Sequence, residues 1–415
     1  MRKQPRLSHI IWASFALCTW MPAFGQDTKD DIIQKLLSRV EALEREVGAL
    51  KQGPSALVQP EQAPAPPPPA PDVVHAAISA DALEPVAANE TRFVLHAYGD
   101  VGFLRNADGA SVKRFALGEL DVFTSVRITP KLSALVEAVF ETDNQLYVST
   151  VPINVERLLL QYRHNDFFNV ELGSYRTAIG FYNTAFLRGA WFQTAVSRPK
   201  LFVFEDDGGF LPLHNTGVSV NGRLPSGGLG LRYVVEAGNS RNYGTGVRTG
   251  LDIADHSAFN VALTARPTVL PAFQSGFSYY RDKFSPFEGI AINRSVWTGH
   301  AVYSSGRIEF LNEVVLAKFS WPGLGWGNAQ GFYSQLAYRV GSSWTPYVRF
   351  EDLNSYGRGP AGDAVRQYVP WRTIVVGGLR YDISEAVALK FELSQADYLG
   401  RPAWVQAAMQ VAFRF

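Results

Sequence analysis

From Thr91 to the last residue, apolar and polar positions alternate in segments of about ten residues, each followed by a turn or loop. Leu120, Val122, Val126 and Ile128 share one face of such a segment, and Glu119, Asp121, Ser125 and Arg127 share the other. Val387, Leu389, Phe391 and Leu393 oppose Lys390, Glu392 and Ser394 in the same way, and Trp344, Pro346, Val348 and Phe350 oppose Thr345, Tyr347, Arg349 and Glu351. A period of two marks an extended strand whose faces meet different surroundings. Strands are predicted near 92–103, 114–128, 131–143, 154–164, 167–176, 213–223, 228–239, 257–266, 272–281, 294–304, 307–318, 329–341, 344–353, 371–382, 385–396 and 403–415. They number about sixteen, an even number, as a closed antiparallel barrel requires.

The connections sort into two kinds. Short turns are expected at 129–130, 165–166, 225–227, 304–306, 341–343 and 382–384. Longer loops are expected after strand one (about ten residues) and at 143–153, 177–212, 282–293, 319–328 and 354–370. Their alternation is that of a transmembrane barrel, with periplasmic turns at one end and extracellular loops at the other. A Lys or Arg facing lipid near the bilayer midplane costs roughly 2–4 kcal/mol, so the charged faces must point inward. A barrel this wide leaves an aqueous channel. The predicted fold is therefore all-β, a transmembrane antiparallel β-barrel over residues 91–415, enclosing a pore.

The N-terminal quarter follows other patterns. Residues 1–25 read as a secretory signal: Arg2, Lys3 and Arg6, then an apolar stretch, then Ala23, Phe24 and Gly25 ahead of a cut before Gln26. A lipoprotein signal at Cys18 is disfavoured by the bulky Leu17 before it. Cys18 is the one cysteine, so removal of the signal leaves no disulfide or cysteine metal ligand. Within residues 26–52, Ile33, Val40 and Val47 recur every seven positions, as do Leu36, Leu43 and Leu50. These are the a and d positions of a short α-helical coiled coil. Residues 53–90 read as a Pro/Ala-rich linker, with Gly53 to Pro71 a semi-rigid polyproline spacer and 72–90 an unpatterned Ala-rich lead-in to the barrel. With strand one starting at the periplasmic end, coil and spacer belong in the periplasm.

Composition narrows the partners. The net charge of +1 disfavours nucleic acid. After the N-terminus no apolar run reaches about 18 residues, so membrane-spanning helices are excluded. The expected partners are outer-membrane lipid, further copies of the chain (the a and d residues taken alone favour a parallel dimer), and small hydrophilic solutes or anions. No cofactor or metal is implied.

Three resemblances sharpen this reading. The closing run, with Val405, Ala407, Met409, Val411, Phe413 and Phe415 on one face, resembles the C-terminal assembly signal of outer-membrane barrels. Arg39, Val40, Leu43 and Glu44 are spaced as in the Arg-h-x-x-h-Glu motif of short trimeric coiled coils, which implies a trimer held by pairing of Arg39 with Glu44 of a neighbouring helix. The whole order of signal, coil, Pro-rich tether and barrel resembles trimeric porins of the phosphate- and polyphosphate-selective superfamily and its dicarboxylate-type relatives. Val170 to Arg176 looks similar to the strand before the constriction in that group, and Asn215 to Val220 to the strand after it.

The longest connection, 177–212, holds Phe181, Tyr182, Phe186, Trp191, Phe192, Phe202 and Phe204, a composition unlike a disordered segment. It is the third long loop, the one that folds into the channel in porins. Arg188, Arg198 and Lys200, then Glu205, Asp206 and Asp207, with Arg176 at its base, are the expected constriction charges. Arg127, Arg157, Arg163, Arg232, Arg349, Arg380 and Lys390 are the expected lumen-wall cations, suited to anions. Glu137, Glu171, Glu236, Glu351 and Glu392 share their face, so many of these cations are expected to pair within the wall. The expectation is a diffusion porin with weak anion preference. The alternatives are a structural tether and a barrel enzyme; the scattered histidines and the lack of a Gly-x-Ser-x-Gly elbow speak against the latter.

Overall fold

In the computed structural model the described residues are 92–415, apart from 107–112, 142–152, 187–188, 205–208, 242–252, 288–289 and 399–400. The signal, coiled coil and tether expected over residues 1–90 lie outside them. The strands are β1 (Arg92–Asn106), β2 (Lys113–Thr129), β3 (Leu132–Glu141), β4 (Ile153–Asn165), β5 (Phe168–Arg176), β6 (His214–Arg223), β7 (Leu231–Arg241) and β8 (Ile253–Ala265). They continue as β9 (Phe273–Phe287), β10 (Ile290–Ser304), β11 (Ile308–Trp321), β12 (Gly325–Tyr338), β13 (Trp344–Arg358), β14 (Trp371–Asp382), β15 (Val387–Tyr398) and β16 (Arg401–Arg414). Among the described residues two α-helices interrupt them, α1 (Gly180–Ala185) and α2 (Gly359–Tyr368).

All sixteen strands form one closed barrel in which each bonds its sequence neighbours and β1 bonds β16. The terminal aromatic residue completes the seam. Ala97 donates its N–H to the Phe415 carbonyl at 2.9 Å, and Phe415 returns one to Ala97 at 3.0 Å. Closure leaves no unpaired edge, the condition for backbone to cross a bilayer in strands.

The pleat separates two environments. Leu95, Leu117, Leu158, Phe277, Val348 and Leu393 are exposed on the outer face. Buried Asp121, Glu137, Glu313, Arg349, Lys390 and Glu392 lie on the inner one. At the short-turn end the Trp344 and Tyr381 rings pack at a tilt outside the wall with centroids 4.3 Å apart, where membrane barrels place interfacial aromatics.

Two long loops are largely taken up by strand. The loop expected at 319–328 contracts to 322–324, because the β11–β12 ladder continues to the pair Trp321 and Gly325. Gly325 turns the chain with φ of 102°, and a Cβ there would lie 2.1 Å from the Arg358 carbonyl oxygen. Similarly, β9 and β10 run on to Phe287 and from Ile290, taking up most of the loop expected at 282–293.

Candidate functional site: an inward loop held by wall charges

The segment between β5 and β6 turns into the barrel. It contains α1 and single helical turns at Ala190–Phe192 and Lys200–Phe202. Gly180 opens α1 with φ of 67°, and a Cβ there would meet Phe202 Cζ at 2.7 Å and Glu313 Oε2 at 2.5 Å. Its Phe181, Tyr182, Leu201, Phe202, Phe204 and Leu211 form one buried cluster with wall residues that include Tyr280, Leu311, Tyr333 and Tyr347. The Tyr182 ring lies 4.5 Å from Phe186 and meets Tyr333 edge-on at 6.0 Å. Burial pushes the Tyr182 phenol well above its usual pKa against the opposing pull of Arg198 and Arg349, and its hydroxyl donates to Gln193 Oε1 at 3.0 Å.

An irregular segment cannot pair its own backbone, yet buried N–H and carbonyl groups must find partners. Here the barrel wall supplies them as charges. Glu236 on β7 accepts the Ala178 N–H at 3.1 Å. Glu313 on β11 accepts those of Phe181 and Tyr182, the latter at 2.8 Å, and the Tyr333 hydroxyl at 2.6 Å. Glu351 on β13 accepts the Lys200 N–H at 2.6 Å, and Glu392 on β15 accepts those of Val196 and Ser197 at 3.0 and 3.1 Å. The cations take the carbonyls. Arg176 donates to Phe186 O at 2.8 Å, Arg294 to Phe210 O at 3.0 Å, and Arg349 to Ser197 O at 2.8 Å. Arg380 donates to the carbonyls of Trp191 and Gln193 at 2.8 and 3.1 Å, and Lys390 to those of Ala190 and Ala195 at 2.5 and 3.3 Å. A net hydrogen bond contributes about 0.5–1.5 kcal/mol, more where the wall group is ionised, so the loop is docked at many points.

The constriction residues expected from sequence are distributed as follows. Arg176 is buried against Glu137 at 2.9 Å, and Glu137 also pairs with Arg157. Arg198 lies over the rings of Phe204 and Tyr182, at 4.1 and 5.0 Å, and donates to Phe202 O. Lys200 is half-buried. Arg188, Glu205, Asp206 and Asp207 lie outside the described residues, as do the coiled-coil positions Arg39, Val40, Leu43 and Glu44. Among the wall cations, Arg349 and Lys390 are buried behind the loop rather than bathed by a lumen, and Arg157 is buried against Glu137 and the Phe123 ring of the wall. Arg349 pairs with Glu351 at 2.8 Å, and Arg380 with Asp382 at 2.7 Å. Arg127, Arg163 and Arg232 keep contact with solvent.

A second inward element was read in the sequence only as a loop. α2 presses buried Ala361 and Val365 inward, with Val369 just beyond its end. Ser355 on β13 donates to the Val369 carbonyl at 3.0 Å. Gly327 on β12 makes room, since a Cβ there would come within 2.6 Å of Val365 Cγ2. The four-residue spacing of Ala361, Val365 and Val369 behind Pro360 is a helical signal that could have revealed it.

No family model matches the chain, and no curated protein does. Solved structures do. The anion-selective porin from Comamonas acidovorans superposes with a TM-score of 0.55 at 14% identity, covering 79% of this chain and 100% of that one. The fold is that of an outer-membrane porin. OmpT expressed in the outer membrane of Vibrio cholerae gives 0.53 at 11% identity, covering 80% of this chain and 100% of that one. The outer-membrane channel DcaP of Acinetobacter baumannii gives 0.52 at 9% identity, covering 79% and 99% respectively. Within this porin fold, the inward loop and α2 are what set this chain's interior.

Proposed function

We propose that the chain is an outer-membrane diffusion channel that passes small hydrophilic solutes with a weak preference for anions, rather than an enzyme or a tether. One observation carries the reading: a closed sixteen-strand barrel, apolar outside and charged inside, with a loop docked within it. The loop narrows the passage, with Lys200 and the charged positions expected at 188 and 205–207 as the proposed lining, while the Arg198 guanidinium is buried against Phe204 and Tyr182 and helps hold the loop together. Arg176, Arg349, Arg380 and Lys390 serve the passage indirectly, as anchors of the loop. The chain works as a homotrimer joined by a periplasmic coiled coil through Arg39, Val40, Leu43 and Glu44.

The resemblance to porin structures supports this reading through the fold. The test is planar-bilayer recording on the full mature chain. Stepwise conductance in groups of three, with a modest reversal shift toward anions, is the expected result. A protein that folds as a barrel yet leaves the bilayer silent would remove the channel.

A further inference from the structure

The outer face of the barrel is not uniform. Toward the long loops β4 turns exposed Ile153 and Val155 outward. The same end of β9 to β13 is polar. Tyr280 and Asp282 on β9, Arg294 and Val296 on β10, and Ala317 and Phe319 on β11 are buried on the inner face, so Arg281, Ser295 and Lys318 between them point outward. The register sets Arg281 beside Ser295, Ser295 beside Lys318, and Lys318 beside Asn328. Arg281 and Lys318 are exposed, and two strand spacings put their backbones about 10 Å apart. Gln330 follows Asn328 on the outer face of β12 and pairs across the ladder with Asn354 on β13. Asn354 accepts an N–H from Arg372 on β14, and Asp352, the next outward residue of β13, is within electrostatic reach of the same arginine.

Aromatic rings fix the depth of this patch. Beyond it, toward the long loops, exposed Trp326 and Tyr356 meet edge-on with centroids 6.1 Å apart, the kind of pair that marks headgroup level. Tyr356 stands twelve positions along β13 from Trp344, roughly 30 Å along the normal for a tilted strand, which is the depth of a bilayer's hydrocarbon. On the side toward the short turns, Tyr279 and Trp297 are cross-strand partners with ring centroids 5.3 Å apart, and Leu316 lies beside Trp297. The patch thus sits at the outer edge of the hydrocarbon, where the long stems of Arg281 and Lys318 carry their charges up to the headgroups. Polar side chains on a lipid-facing wall are costly unless something polar meets them. Two cations beside a hydroxyl and three amides fit a phosphorylated sugar, whose phosphates take the cations and whose hydroxyls take the amides. A glycerophospholipid would leave the amides unused.

We propose that the outer face of β9 to β13 near the long loops is a docking site for a phosphorylated glycolipid of the outer leaflet, with Arg281 and Lys318 on its phosphates, the amides on its sugar, and Tyr279 and Trp297 against its acyl chains. The inference rests on the outer-membrane orientation given above, in which the long loops face out of the cell.

The test is native mass spectrometry of the full mature chain in detergent, titrated with diphosphoryl lipid A and, separately, with phosphatidylglycerol. One lipid A per chain should bind, ahead of phosphatidylglycerol. Arg281→Gln/Lys318→Gln should weaken lipid A about ten-fold, since each cation near a lipid surface contributes a few-fold in affinity. Arg281→Lys/Lys318→Arg should retain it. Gln330→Leu/Asn354→Leu should weaken lipid A and spare phosphatidylglycerol. Heat-modifiable migration on gels reports folding; if the double Gln variant fails it, Lys318→Gln carries the same readout. Channel conductance in planar bilayers should be equal in wild type and the Gln variant, because these groups face away from the lumen. A wild type that binds lipid A as expected yet never conducts would defeat the channel reading and leave this site standing. A conducting wild type that binds both lipids alike, or whose lipid A affinity the Gln variants leave unchanged, would overturn this inference alone.

Discussion

Arg349 on the β13 wall grips Ser197 from 152 positions away, donating to its carbonyl oxygen at 2.8 Å and to its hydroxyl at 2.7 Å. The same guanidinium pairs with Glu351, which accepts the Lys200 N–H. One ion pair in the wall thus holds both ends of a short stretch of the inward loop, and wall charge becomes loop position.

Arg349→Met should both destabilise the barrel and loosen the loop. Removing one partner of a buried ion pair costs about 3–5 kcal/mol, because the other charge is left without compensation. Urea unfolding in lipid vesicles should show that loss, and Arg349→Met/Glu351→Leu should lose less. Equal losses in the two would mean that the pair is not the anchor.

The Glu313 cluster offers a graded test. Tyr333→Phe removes one donor to the carboxylate and should cost about 1 kcal/mol. Glu313→Leu strands the N–H groups of Phe181 and Tyr182, at about 1–3 kcal/mol for each buried group. Limited proteolysis of the folded barrel should therefore cut the loop faster in Glu313→Leu than in Tyr333→Phe, and slowest in wild type. A reversed order would contradict the docking.

Much of this was legible in the chain before any coordinates. Alternation such as that of Leu393 against Glu392 needs only local sequence, because a pleat puts neighbours on opposite faces. Strand number and closure at Phe415 followed from it. The use of the inner charges did not. Period two says that Arg349 and Lys390 point inward; it cannot say that Ser197 or Ala190 occupies that space, since those contacts span 152 and 200 positions. α2 escaped because Gly359 and Gly362 punctuate a short helix with loop-like residues. The reach of β11 and β12 escaped because Gly323 and Gly325 looked like a long loop and are a tight turn.

The face assignment has its own test. Leu393 is 65% exposed on the outer face, whereas Gln406 on β16 faces inward in register with Ser394. Leu393→Arg should cost roughly 2–4 kcal/mol by placing a cation against lipid, and Gln406→Arg should cost much less. Folding yields into vesicles would rank them. Equal tolerance would mean that the outer face does not meet hydrocarbon.

Deletion of residues 26–52 should leave a folded, conducting barrel that no longer travels as a trimer. Analytical ultracentrifugation in detergent would measure the mass, and bilayer recording the step pattern. Persistence of the trimer would assign assembly to the barrel wall instead of the coil.

The central claim is that an aqueous passage runs through this barrel and that the segment between β5 and β6 narrows it. Single-channel conductance of the full chain, beside a variant with residues 178–212 replaced by a short Gly-Ser linker, tests this most directly. Discrete steps in the wild type and clearly larger steps in the variant are expected. A silent wild type, or equal step sizes in the two proteins, would contradict it.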